Sequence, residues 1–228
     1  MRVIILAAGK GTRLLPMTET TPKTLIPIFG KTVMDRIFES LPEEIDEVII
    51  VVEFLQEKIK EYVGEYFYNK KVLFVEQGEK KGTFGALLSV KNLMGENEKF
   101  LVINSDDIHD KKELEDCMEY PRAMGLELRV MPNYYSVRLN KEGLVEGFYP
   151  QTEEEKTNGT LIATGTFVLD GNIFNHPGII ISTGEYGLPQ VVLDQKEKYP
   201  IKAVITDKWI PVNKPEDIEK AEKYFREK

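Results

Sequence analysis

Short runs of β-branched and other apolar residues punctuate the first hundred residues, and they leave few folds open. They read VIIL (3–6), VIIVV (48–52), VLFV (72–75) and FLVIN (100–104). Each is continuously apolar rather than alternating, which predicts strands covered on both faces, as in a parallel sheet. Between them the period changes. In FLQEKIKEYVGEYF the residues Leu55, Ile59, Tyr62, Val63 and Tyr66 form one stripe, while Lys58, Lys60 and Glu61 point elsewhere. That spacing predicts a helix. A further helix is expected from a Thr83 cap through Ala86, Leu87 and Val90 towards Met94. The resulting order, β-α-β-α-β-α-β, is the signature of a doubly wound α/β sheet.

The second half is less regular. LELRVMP (126–132), YYSVRLN (134–140) and LVEGFYP (144–150) are expected strands of a small antiparallel excursion, with a turn at Lys141, Glu142 and Gly143. PQTEEEKTNG (150–159) reads as a polar, exposed loop. TLIATGTFVLD (160–170) resumes a strand, and GEYGLPQVVLDQKEK predicts a helix after Gly184. Pro215 suits the first turn of a last helix, with Ile218, Ala221 and Phe225 on its inner face. No repeat, low-complexity tract or linker divides the chain, so residues 1–228 are expected to form one domain.

Charge narrows the partners. Thirty Lys and Arg against 38 Asp and Glu give a net charge of -8, which argues against a general nucleic-acid or acidic-membrane binder. A local positive pocket for a phosphate ligand is still allowed. MRVIILAAG lacks the apolar core and basic flank of a secretory signal, and no later run would span a bilayer. One cysteine, Cys117, cannot form an internal disulfide, and a cytoplasmic location is expected. No signature of a particular oligomeric state is present.

The first expected strand leaves through LAAGKGTRLLPMTETTPKTLIP (6–27). Gly9 and Gly11 permit positive φ and close backbone approach to a ligand, and successive N–H groups in such a turn make an anion-binding concavity. Arg13 adds a planar fork for phosphate oxygens and Lys23 a point charge, on a segment stiffened by Pro22 and Pro27. A dinucleotide fingerprint would need glycine where Leu14 stands, and no Walker string occurs.

The composite L-A-A-G-x-G-T-R-L-x-P followed by P-K-x-L-x-P-I closely resembles the signature of the sugar-phosphate nucleotidylyltransferases, or NDP-sugar pyrophosphorylases. The resemblance implies a Rossmann-like nucleotidyltransferase fold, mostly parallel in its central sheet. It implies that Leu6, Ala7, Ala8, Gly9, Gly11, Thr12 and Arg13 bind a nucleoside triphosphate, with Arg13 and Lys23 as catalytic phosphate contacts. Gln77, Gly82 and Thr83 in VEQGEKKGTFGAL match the family's nucleobase contacts. Asp106 in VINSDDIHD matches its Mg2+-holding aspartate, with Ser105 where glycine is usual; whether Asp107 joins it stays open. The late metal ligand of some members falls at Pro211 here, which has no donor side chain, whereas Asn213 matches the asparagine that others use. On the acceptor side, Thr164 and Gly165 match a V-T-G motif and Glu185 a G-E-Y motif, whereas the usual E-K-P has no counterpart and Pro189-Gln190 replaces T-D.

The implied reaction joins a triphosphate, UTP or dTTP first, to a sugar 1-phosphate and releases pyrophosphate. The attacking phosphate is already an anion, so neither His109 nor His176 is needed as a base. Two rivals are a cytidylyltransferase acting on a non-sugar phosphate such as phosphocholine, and a catalytically silent module that binds nucleotide sugar. Absence of hexapeptide repeats argues against an appended acyltransferase activity.

Overall fold

The structure is a computed structural model and describes residues 1–227. Strand β1 (Arg2–Ala7) leads through a long loop to the hairpin of β2 (Pro27–Ile28) and β3 (Lys31–Thr32), helix α1 (Val33–Ser40) and strand β4 (Glu47–Val52). Helix α2 (Gln56–Val63), strands β5 (Tyr66–Phe67) and β6 (Lys70–Glu76), helix α3 (Thr83–Leu88) and strand β7 (Lys99–Asn104) follow. Next come β8 (Asp107–Ile108), α4 (Lys111–Met118), β9 (Ala123–Arg129), β10 (Ser136–Leu139), β11 (Val145–Tyr149) and α5 (Glu153–Asn158). Strand β12 (Thr160–Asp170), α6 (Leu188–Asp194), β13 (Lys202–Thr206), β14 (Ile210–Pro211) and α7 (Pro215–Arg226) complete the order.

One mixed eight-stranded sheet runs β13-β9-β12-β7-β1-β4-β6-β5. The β1–β4, β1–β7, β4–β6 and β9–β13 pairs are parallel, and β12 runs antiparallel to both β7 and β9. Both faces of the first strands are apolar because both are covered. Val3 and Ile5 pack with Ile37, Phe38 and Val63 on one side, and Ile4 and Leu6 with Phe84, Leu87 and Val191 on the other. The chain winds outward from β1 through β4 and β6, then returns to place β7 on β1's other flank. Loops at the carboxyl ends of β1 and β7 therefore diverge and leave a crevice, the place where open α/β sheets bind ligands. No helix among the described residues is long and apolar enough to cross a membrane.

Several expectations need correction. Helix α2 stops at Gly64, whose φ of 66° favours glycine, so Tyr66 lies in β5 at 71% exposure instead of on the helical stripe. Residues 126–132 are not part of the small excursion. Strand β9 starts at Ala123, buries Met124 and Leu126, and sits inside the main sheet, so the excursion itself reduces to the antiparallel pair β10 and β11. The polar stretch 150–159 is not all loop. Thr152 and Glu155 form a reciprocal capping box that starts α5, and Glu155 also accepts from Ser136 at 3.0 Å.

The β12–β9–β13 half of the sheet is pinned by a buried guanidinium. Arg122, 2% exposed, donates from Nε and Nη2 to the two oxygens of Asp170 at 2.7 and 3.1 Å, and from Nη1 to Gln195 at 3.0 Å. Its charge also lies 4.0 Å from the centre of the Tyr199 ring. Burial pushes the Asp170 carboxyl up, but hydrogen bonds from Arg122 and Asn172 outweigh it and hold the value below the ordinary carboxylate range. Asp170→Ala strands the buried cation and should cost about 3 kcal/mol in urea unfolding at neutral pH. The carboxylate's contribution is complete above its unfolded value and lost as pH falls through the lower folded one, so the gap between wild type and variant should close in acid.

Candidate active site

The loop after β1 folds back on itself. Gly11 sits at φ 64° and ψ 36°, and a Cβ there would lie 3.1 Å from both Lys23 Cβ and Thr18 Cγ2. Thr18 Oγ1 donates to the Gly11 carbonyl at 2.9 Å, closing the loop. Gly11 thus needs both its positive φ and its missing side chain for Lys23 to pack beside it. Gly9 is not in the positive-φ region, contrary to expectation; its open side meets no protein atom within 4 Å. Thr24 lines the same wall, and its buried hydroxyl has no hydrogen-bond partner among the described residues.

Four of the residues singled out in the sequence converge. Lys23 Nζ is paired with Asp106 Oδ2 and donates to Asn213 Oδ1 at 3.0 Å. Arg13 Nη2 donates to the same Asn213 oxygen at 2.6 Å. Asp106 follows the end of β7, whereas Asn213 follows β14, which pairs with β8 and so lies alongside. Asp107 is turned away from this cluster. It is 4% exposed, its Oδ1 accepts from Trp209 Nε1 at 2.8 Å, and its Oδ2 accepts from Asn104 Nδ2 at 3.2 Å. Burial first, and then the neighbouring Asp106, push its carboxyl up to about 7.

This donor set suits a hard divalent cation. A carboxylate oxygen and an amide oxygen already share one positive group, the Lys23 ammonium. No cluster of three or more His, Cys, Asp or Glu that could cage a metal exists among the described residues. A site with few protein oxygens is the pattern for magnesium, which keeps waters and takes phosphate oxygens for the rest.

The cluster forms one wall of a cleft of about 1140 Å³. Leu6, Ala7, Ala8, Gly9, Gly11, Thr12 and Arg13 line it, as do Gln77, Gly82, Thr83, Gly165 and Glu185. Gln77 Nε2 donates to the Lys80 and Gly82 carbonyls at 2.9 and 3.3 Å, leaving its Oε1 as an acceptor. Gly82 lies at φ 89°, and a Cβ would come 2.7 Å from the Tyr186 carbonyl. Its absence lets the 77–83 loop zip onto the 184–188 segment: Phe84 N donates to Tyr186 O at 2.9 Å and Tyr186 N to Lys81 O at 2.8 Å. Thr83 does not cap its helix; Gly82 holds that position, and the Thr83 hydroxyl accepts from Leu188 N at 2.9 Å.

Thr164 departs from expectation. It is fully buried and its hydroxyl donates to Glu113 Oε1 at 2.8 Å, on the side away from the cleft, because adjacent strand residues face opposite ways. Its neighbour Gly165 is the one at the cleft, over Asn104 and Asp107. Neither histidine lines the cleft. His109 is buried against Glu113 and Thr166, and His176 pairs with Asp194 at 2.9 Å. Tyr134 and Tyr135, read in the sequence as strand, instead precede β10 in a turn and line the cleft together with Trp209. Tyr134 Oη lies 3.4 Å from Asn213 Nδ2, and burial first raises its phenol. The aromatic pair after Pro132-Asn133, a turn dipeptide, was the available signal.

Known proteins resemble this chain in sequence and in fold. Across 100% of its length the chain is 34% identical to the bifunctional protein GlmU of Methanocaldococcus jannaschii, of which the match covers 55%; the chain spans about half the length of such curated relatives. It is 26% identical to the UTP–glucose-1-phosphate uridylyltransferase AglF of Haloferax volcanii, covering 100% of this chain and 97% of that one. A crystal structure of UDP-glucose pyrophosphorylase complexed with UDP-glucose superposes with a TM-score of 0.83 at 22% identity, over 100% of this chain and 99% of the other, and so shares the fold. Residues 2–199 match the family described as nucleotidyl transferase, a span that takes in the glycine-rich loop, Lys23, Asp106 and the zipped loops of the cleft. The chain belongs to the nucleotidyl transferase family.

Proposed function

We propose that this protein joins a nucleoside triphosphate, UTP or dTTP, to a sugar 1-phosphate, giving an NDP-sugar and pyrophosphate. The observation that carries this reading is the meeting of Arg13, Lys23, Asp106 and Asn213 at the head of a cleft large enough for two substrates. The similarity to a uridylyltransferase across nearly the full length of both chains supports a pyrimidine triphosphate and a sugar phosphate. Gln77 Oε1 suits a base that presents an N–H, as the N3–H of uracil or thymine does.

The chemistry asks little of the side chains beyond position and charge. A phosphate oxygen of the acceptor attacks the α-phosphorus, the bond to the β-phosphate oxygen breaks, and pyrophosphate leaves with the electron pair. No base is required. The N–H groups of the loop and Arg13 would hold the triphosphate and stabilise the charge gathering on the departing group. Lys23, released from Asp106, would neutralise the repulsion between the two anionic substrates. A magnesium ion held by Asp106 and Asn213 would offset charge on the α-phosphate. Gly165 and Glu185, which also line the cleft, would meet the sugar.

Two outcomes are expected. In a pyrophosphate-release screen of the common NTPs with Mg2+ against sugar 1-phosphates and phosphocholine, UTP or dTTP with a sugar phosphate should dominate. Dominance of CTP with phosphocholine, or binding with no release at all, would overturn the reading. Lys23→Ala and Asp106→Ala should each stay folded by circular dichroism and lose on the order of a hundredfold or more in kcat. Separately, Gln77→Leu should raise the KM for the triphosphate about tenfold, the worth of one good hydrogen bond to the base, with a smaller effect on kcat.

A further inference from the structure

The two oxygens that share the Lys23 ammonium belong to residues flanking different strands, Asp106 just before β8 and Asn213 just after β14, and those strands pair only briefly. β8 and β14 meet only at Ile210 with Ile108 and Pro211 with Asp107. Pro211 stands at the position of the ladder whose N–H would point away from β8, so the pairing is limited by its two-residue length and not by a missing donor. One main-chain bond, Val212 N to the Asp106 carbonyl at 2.8 Å, continues it. A flexible junction here would let Asp106 and Asn213 drift apart once Lys23 turned to a phosphate.

Side chains supply what the backbone lacks. Trp209, 2% exposed, stands two residues before Pro211 and donates its indole N–H to Asp107 at 2.8 Å. Asp107 in turn ties back to Asn104, the last residue of β7. On its other flank Trp209 meets the ring of Tyr134 edge-on, with centroids 6.4 Å apart at 74°, and Tyr134 Oη reaches the Asn213 amide. A closed circuit results, running from Asp106 through Asp107, Trp209 and Tyr134 to Asn213. Its two ends are the oxygens that share Lys23. Of the Asp107 oxygens, Oδ1 accepts from Trp209 within this circuit and Oδ2 from Asn104 outside it, and neither bonds the Lys23 ammonium.

We propose that the buried Asp107–Trp209 pair is a positioning element that sets the separation of Asp106 and Asn213, with Asp107 itself outside the cation's coordination sphere. The inference rests on the reading of Asp106 and Asn213 as the cation-holding pair. It separates two roles that adjacent aspartates would otherwise share. A ligand must keep its charge, whereas a brace needs only an acceptor for the indole.

Mn2+ affinity in the presence of UTP, followed by water-proton relaxation enhancement, distinguishes these roles, with thermal melting as the control for folding. Asp107→Asn retains an acceptor oxygen for Trp209, and Asn104 can turn its amide to match. It should hold Mn2+ within about threefold of wild type. Trp209→Phe removes the donor and should weaken Mn2+ binding about tenfold or more, the range found when groups that orient metal ligands are lost. Trp209→Phe also leaves a buried carboxylate short of a partner, so it should melt earlier. The double variant Asp107→Asn with Trp209→Phe removes that charge and should regain stability without regaining affinity. A merely structural pair would show the opposite, with affinity following stability. An Asp107→Asn loss as large as that of Asp106→Ala would make Asp107 a ligand and overturn the proposal, as would wild-type affinity in the folded double variant. Wild-type affinity in Asp106→Ala would instead overturn the cation site, and the brace with it.

Discussion

An ammonium group held between a carboxylate and an amide oxygen organises the functional end of this molecule. Lys23 arrives on a loop from β1, Asp106 from the end of β7, and Asn213 from the far end of the chain. Two adjacent aspartates at a strand end repel each other unless one is neutralised or a cation is near. The fold does both: Lys23 answers Asp106, and Asp107 is buried, hydrogen-bonded and shifted up to about 7. Without that cation the β7–β8 corner would carry uncompensated charge in the wall of the cleft. With it, the site presents two positive side chains to an entering polyanion.

The sheet makes this convergence possible. Because β1 and β7 are neighbours but the chain between them winds away through β4 and β6, their carboxyl-end loops part and leave a crevice. The loop after β1 is tight because Gly11 allows Lys23 against its backbone. On the opposite rim, Gly82 lets the loop after β6 lie directly on the 184–188 segment, joined by main-chain hydrogen bonds on both sides of it. The wall that would meet a nucleobase and the wall that would meet a sugar are therefore one piece of structure.

Much of this was legible in the sequence, and the reasons differ by region. The parallel strands were plain because burial on both faces writes a continuous apolar run, and the residues of the loops after β1 and β6 lie in contiguous motifs whose chemistry is local. Asn213 was reached through resemblance alone; spacing says nothing about a residue brought beside Asp106 by a two-residue strand pairing. Thr164 was misjudged because a motif does not tell which way a strand residue faces, and here Gly165 faces the cleft while Thr164 faces Glu113. Helix α5 was hidden by its polarity. Its capping box is local and readable, but its stripe is not apolar, since Glu155 reaches Ser136 and Arg138 instead of a hydrophobic core. Tyr134 and Trp209 were overlooked as site residues because an aromatic side chain beside a strand reads first as core.

On the proposed function, Asp106 and Asn213 would hold a divalent cation once substrates enter, with Lys23 freed for a phosphate. A crystal structure of the protein with magnesium, a non-hydrolysable UTP analogue and glucose 1-phosphate tests it most directly. The expected result is a metal held by Asp106 and Asn213, with Lys23 turned from Asp106 to a phosphate and the loop N–H groups on the triphosphate. A triphosphate bound elsewhere, with Lys23 still on Asp106 and no metal between the two oxygens, would contradict it.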